Sequence, residues 1–338
     1  MTQESLKTDV VIIGSGPVGL FAIFECGMLK MKTHVIDTLE FTGGQCTALY
    51  PEKPIYDIAG YPSILASELI EKLEEQAKPF EPTYHLGQQV ISVQKTGDGF
   101  EVETSKGVKI SAKAIIIAAG CGAFGPNRPP LEGLEEYEKT GAVSYMVGKK
   151  EDYRDKKIVI AGGGDSAVDW VLSLEGIASH ISVIHRRPKF RCAPESADQL
   201  KKLADDGKID LVIPFQLDSL NGENGKLSQV VVKDLDGNKK EIDADHLLPF
   251  YGLSMELGPI ANWGLNLDKN HIAVTQSTCE TSEKGIFAIG DINHYEGKLK
   301  LIACGFSEAA MAAHAIYPLV HPDEAFHFEY STSKGVSK

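Results

Sequence analysis

An α/β protein built twice over from one plan is what the sequence predicts, and three observations carry that expectation. At two places, residues 9–29 and 157–174, an apolar strand runs into a glycine-rich turn and then a helix. Each run is followed by short alternating strands punctuated by glycine turns, and then by an apolar strand ending in glycine. The chain has 338 residues, enough for about two domains that each bury a core.

The elements follow in order. The first copy opens with a strand at residues 9–13 and turns through Gly14-Ser15-Gly16-Pro17-Val18-Gly19. A helix is expected over 20–29 and a second strand over 33–37. Alternating runs at 90–93, 100–104 and 108–111 are separated by Gly97-Asp98-Gly99 and Gly107, which read as turns. Residues 114–120 close the copy. The second copy opens at 157–161 and turns through Gly162-Gly163-Gly164-Asp165-Ser166-Ala167. A helix to about Leu174 and a strand at 181–187 follow, with runs 227–233 and 239–242 around Asp236-Gly237-Asn238 and a closing strand at 246–252. A further strand at 285–289 ends in Gly290-Asp291 and leads to a helix over 305–318.

Composition removes several function classes. Lys and Arg number 34 against 47 Asp and Glu, and the net charge of −13 disfavours nonspecific nucleic-acid or anionic-membrane binding as the main task. The longest apolar run, 114–119, is too short to span a bilayer. No signal peptide is visible, so a cytoplasmic location is expected. The six cysteines form neither a CxxC pair nor a zinc-ligand spacing, and no metal site is expected.

The glycine turns carry the first chemistry. In a strand–turn–helix unit the first glycine permits the tight turn and the second lets backbone N–H groups approach a pyrophosphate. The third position needs a small residue where helix meets strand. Gly14, Gly16 and Gly19 fill these roles in the first copy, with Pro17 early in the helix, where its missing N–H is no loss. Gly162, Gly164 and Ala167 fill them in the second, with Ser166 at the helix N-terminus that faces the phosphates.

The end of the second strand separates the two sites. Asp37 stands there in the first copy, about 20 residues past the turn, where a carboxylate accepts hydrogen bonds from an adenosine ribose. The corresponding place in the second copy holds His185, Arg186 and Arg187, with Arg191 close by. Guanidinium groups bind phosphate bidentately, so this cluster suits a ribose 2′-phosphate. The first site is therefore expected to take FAD or NAD, and the second NADP.

With Gly290-Asp291 after an apolar strand, the chain resembles the two-dinucleotide flavoprotein reductases. In those enzymes such an aspartate holds the ribityl and pyrophosphate part of FAD. The resemblance implies a discontinuous FAD domain (1–123 and 254–338) with an NADP domain (124–253) inserted, both Rossmann-like in three ββα layers. The crossings near 120–125 and 252–255 are the expected hinges. Order and size resemble the thioredoxin-reductase type, including Gly43-Gly44-Gln45 after the second strand. That type carries a CxxC ahead of the second glycine turn. Here the stretch reads SYMVGKKEDYRDKK. Dithiol exchange needs a thiolate and a resolving partner, so electrons are expected to leave the flavin directly.

GGQCTALYPEKPIYDIAGYP at 43–62, Gly297-Lys298-Leu299-Lys300-Leu301-Ile302-Ala303, and an extension over 320–338 are similar to the ferredoxin–NADP⁺ reductases of the thioredoxin-reductase type. The resemblance implies that Gln45 lies in the FAD site, that Tyr50 stacks on one flavin face and that Tyr330 covers the other. It implies NADPH as hydride donor, ferredoxin or flavodoxin as single-electron carrier, and a homodimer. No side-chain acid or base is required, so no catalytic residue is assigned beyond the flavin contacts. An acidic chain meeting an acidic carrier needs a local basic face, for which Lys149, Lys150, Lys156 and Lys298 are candidates. An NADPH-dependent flavin reductase of flavodoxin, quinones or small acceptors and a slow-turnover flavin redox sensor are the alternatives.

Overall fold

Four consecutive β-branched residues, Val10–Ile13, form the middle strand of a five-stranded parallel sheet. The computed structural model describes residues 5–324, in two units: Met1–Phe124 with Met255–Lys338, and Gly125–Ser254. The first unit's sheet runs in the order Ile286–Ala288, Ala114–Ile117, Val10–Ile13, Thr33–Ile36 and Thr83–His85. Its central strands are buried along their whole length, as parallel strands must be when both faces are covered. Helices Pro17–Met28, Ala66–Ala77 and Ile302–Val320 cover one face and share a core with Val10, Ile12, Leu20, Ile116 and Ile316. The other face packs Val11, Ile115 and Ile117 against Val90, Phe100, Val102 and Ile110 of the antiparallel ladder Val90–Thr96, Gly99–Thr104 and Lys109–Ala112. Leu6–Lys7 adds a parallel edge to that ladder. The three layers are helix, parallel sheet and antiparallel sheet.

The second unit repeats the plan. Its parallel sheet runs Asp210–Val212, His180–Ile184, Lys157–Ala161 and His246–Pro249. One layer is the meander Gln216–Glu223, Lys226–Lys233 and Lys239–Asp243, whose Leu227, Val230 and Val232 pack with Val159 and Ala161. The other layer holds helices Asp165–Leu174 and Pro194–Asp205.

Several boundaries differ from the sequence reading. The strand expected over 181–187 stops at Ile184, which leaves Arg186 and Arg187 in an exposed loop. The helix expected over 305–318 runs Ile302–Val320 and passes through Pro318. That proline sits in the last turn, so it removes only one amide donor near the helix end. Helices Ala66–Ala77 and Pro194–Asp205 and the strand Gln216–Glu223 were not expected at all. Among the described residues no helix is long and apolar enough to cross a membrane.

Candidate dinucleotide sites

In the first unit the turn after Val10–Ile13 is built by close approach. Gly14 has φ 105°, and a Cβ on it would lie 2.4 Å from the Ala118 carbonyl oxygen. A Cβ on Gly19 would lie 2.0 Å from the Gly14 carbonyl oxygen, so the helix can meet the strand only at glycine. Gly16 is different: a Cβ there would meet nothing within 4 Å. The space above this second glycine, at the N-terminus of a helix whose first residue is Pro17, is open. This is the cradle a pyrophosphate needs.

Asp37 follows the strand Thr33–Ile36 and lines the same cleft. Its Oδ2 accepts hydrogen bonds from the Ser15 N–H and hydroxyl, each at 2.7 Å, and its Oδ1 accepts from the Leu39 N–H at 2.9 Å. The carboxylate is thus tied to the glycine turn with acceptor capacity to spare. The cleft brings together Gly14, Gly16, Pro17, Asp37, Gln45, Tyr50, Gly290 and Asp291. Gly19 lies beneath it, buried. Leu39, Val90 and Trp263 also line it, and the buried indole N–H of Trp263 finds no acceptor among the described residues.

Toward Asp291 the cleft holds Tyr50, Cys46, Cys121 and Lys300. Tyr50 is half-buried against the helical core, and burial pushes its phenol well above the usual range, so it stays neutral. The Gln45 amide donates to Cys121 Sγ at 3.3 Å. Burial pushes the Cys46 thiol up to about 11 and raises Cys121 as well. Neither is a thiolate at neutral pH.

Gly290 and Asp291 form a single 3₁₀ turn after Ile286–Ala288. Sequence reasoning missed what stands behind it. Glu308, buried in helix Ile302–Val320, accepts the Gly290 N–H at 2.7 Å and pairs with Lys298. Lys298, a candidate for an exposed basic face, is instead an interior residue with a side chain only 3% exposed. A lone Glu or Lys reads as a solvated charge, and only its place amid small apolar residues such as Gly305, Ala309 and Ala312 signalled otherwise.

In the second unit Gly162 would place a Cβ 2.7 Å from the Phe250 carbonyl oxygen and 2.9 Å from Ala167 Cβ, so turn and helix again meet closely. Gly164 caps the helix Asp165–Leu174, and a Cβ on it would meet nothing within 4 Å. Ser166 is exposed in the first turn and Ala167 is buried. The loop after Ile184 is pinned over this turn: the Arg191 N–H donates to the Gly163 carbonyl at 2.6 Å and the Ala193 N–H to Asp165 Oδ1 at 2.8 Å. Arg186, Arg187 and Arg191 are exposed on it.

His185 departs from the expected cationic cluster. It is 7% exposed, its ring stacks on Phe190 at 5.0 Å, and it lies so close to Gly163 that a Cβ there would fall 2.3 Å from it. Burial lowers its pKa, so it is a neutral packing residue beneath the turn, and the arginines carry the charge. Tyr330 lies outside the described residues.

Two open glycine turns at helix N-termini, one followed by a carboxylate and the other by exposed arginines, define a protein of the two-dinucleotide class. Comparison with known proteins gives its family. The model of the family described as pyridine nucleotide-disulphide oxidoreductase matches residues 8–313. The proteins named ferredoxin–NADP reductase from Acidiphilium cryptum and Paramagnetospirillum magneticum are 63% and 60% identical over 98% of this chain and 98% of their own lengths. Among solved structures, the thioredoxin reductases of T. acidophilum and Lactococcus lactis both give a TM-score of 0.79, at 26% and 27% identity. They cover 92% and 93% of this chain and 98% and 99% of their own. The chain belongs to the pyridine nucleotide-disulphide oxidoreductase family, among the ferredoxin–NADP reductases.

Proposed function

We propose that the chain oxidises NADPH through a bound FAD and passes the electrons singly to ferredoxin. The observation that carries the cofactor assignment is the contrast between two otherwise equivalent turns. Gly16 opens to a cleft with Asp37 for an unphosphorylated ribose, and Gly164 opens in a turn next to the loop that carries exposed Arg186, Arg187 and Arg191, which suit a 2′-phosphate. The FAD domain is then residues 1–123 and 254–338, and the NADP domain 124–253. The residues present fit both groups. Gly14, Gly16, Pro17 and Asp37 would hold the adenosine and pyrophosphate of FAD, and Gln45, Tyr50 and Asp291 the flavin part. FAD, when bound, supplies a two-electron acceptor that can also give up electrons one at a time.

The protein's contribution is binding and orientation. Neutral Tyr50 offers a broad apolar face for stacking. The Gly16 and Gly164 turns offer backbone N–H groups to phosphates without a competing side chain. Raised thiols in the cleft leave the cysteines without a nucleophile's role. The carrier is read from the names of the relatives. The test compares cytochrome c reduction by NADPH with and without added ferredoxin, after checking that denaturation releases FAD. A strong dependence on ferredoxin is expected. Equal rates without it would make the protein a flavin reductase of small acceptors, and failure to oxidise NADPH with ferricyanide would leave a sensor.

A further inference from the structure

Glu308 is a buried carboxylate that the reading above does not use. Its side chain is 1% exposed and that of its ion-pair partner Lys298 is 3% exposed. Four donors converge on it. Oε2 accepts the Gly290 N–H at 2.7 Å and the Asn293 Nδ2 amide at 3.1 Å. Oε1 accepts the Tyr295 hydroxyl at 2.8 Å and pairs with the Lys298 ammonium. That meets the capacity of a carboxylate.

For stability alone this arrangement is a poor choice, since a buried ion pair can often be replaced by packed apolar side chains at no loss. An apolar pair could not hold the Gly290 N–H. Gly290 sits in the left-handed region at φ 77° and begins the one-turn helix that carries Asp291 into the cleft. Asn293 also donates to the Ala288 carbonyl at 2.9 Å, so the same network ties the end of strand Ile286–Ala288 to helix Ile302–Val320. Of the four donors, Gly290 lies in the turn and Asn293 caps its end, while Tyr295 and Lys298 come from the chain that follows it.

We propose that Glu308 is a positioning residue of the flavin site: through the Gly290 amide it fixes the turn that presents Asp291 to the cleft, with Lys298 as its ion-pair partner. The inference rests on the reading of this cleft as the FAD site.

The test separates position from stability, using the full chain stripped of FAD. FAD is titrated back while thermal unfolding of the FAD-free protein is followed by circular dichroism. The double variant Lys298→Met/Glu308→Leu removes both charges and the acceptor. It is expected to unfold cooperatively at a somewhat lower temperature, because Gly290, Asn293 and Tyr295 lose a buried acceptor, and to bind FAD about tenfold more weakly or worse. Lys298→Met/Glu308→Gln restores a neutral acceptor, and its FAD affinity is expected within roughly threefold of wild type. Should the leucine variant fail to fold, Glu308→Asp keeps the charge but shortens the reach, and the same tenfold loss is expected of it. A leucine or aspartate variant that binds FAD like wild type would overturn the proposal. So would a folded glutamine variant that does not regain affinity. Wild-type protein that takes up no FAD would instead overturn the reading of the cleft, and the proposal with it.

Discussion

At the scale of single residues, the two ends of the second strands differ in the way the proposed cofactor assignment requires. Asp37 is held by Ser15 and Leu39 at the lip of an open turn, whereas Arg186 and Arg187 project unpaired with any carboxylate among the ion pairs of the described residues. If each arginine holds the 2′-phosphate as proposed, replacing it by alanine removes one charge-assisted contact. NADPH use is expected to fall roughly 10–100-fold in kcat/KM, about 1–3 kcal/mol, with NADH use nearly unchanged. Steady-state kinetics with both cofactors checks this, and equal losses would assign the arginines to the fold. The places of Asp37 and of the arginines after their strands were legible because strand, turn and charge follow one another along the chain. His185 was misread because its role depends on a contact across the loop. Its ring is packed between Gly163 and Phe190, and the loss of hydration that keeps it neutral cannot be seen from sequence.

At the scale of elements, the glycine turns and their strands were readable from spacing alone, while whole helices escaped. Ala66–Ala77 buries Ala66, Leu69, Ile70, Leu73 and Ala77, a clear one-face spacing, but it carries no chemistry that draws the eye. The contact between Pro17–Met28 and Ile302–Val320 is likewise set by tertiary approach. Gly305 is buried there, and a Cβ on it would lie 2.4 Å from Val18 Cγ2. Gly305→Ala therefore overpacks this crossing in spite of alanine's better helix propensity. It is expected to lose about 1–3 kcal/mol of stability, seen as a lower melting temperature. Val18→Ala makes room for the added methyl, so the double variant should recover most of what Gly305→Ala loses. If Gly305→Ala is as stable as wild type, or Val18→Ala brings no recovery, the two helices are not held at this distance by glycine. The buried Glu308–Lys298 pair belongs to the same class of feature: its residues are ten apart in sequence, and only the folded helix shows them enclosed together.

At the scale of the whole molecule, the fold is that of enzymes named thioredoxin reductases while the chemistry available to the cysteines is different. All six are free thiols. Burial raises Cys26, takes Cys46 up to about 11 and Cys279 up to about 12, and also raises Cys121 and Cys192. At pH 7 a thiol with a pKa of about 11 is thiolate in roughly one molecule in ten thousand, far too few for exchange chemistry. On the proposed reading, electrons that reach the flavin leave it without a dithiol relay, whichever carrier receives them. A variant with all six cysteines changed to alanine or serine is expected to lose some stability, because Cys26, Cys46 and Cys279 are core residues. If it folds and holds FAD, it should keep NADPH–ferricyanide turnover to within about fivefold, the residual loss reflecting looser packing around Cys46 and Cys121 in the cleft. Wild-type protein, by the same argument, should not reduce thioredoxin disulfide. Turnover abolished by one particular Cys→Ser change, with FAD still bound and the spectrum intact, would show a thiol in the electron path and break the argument at its base.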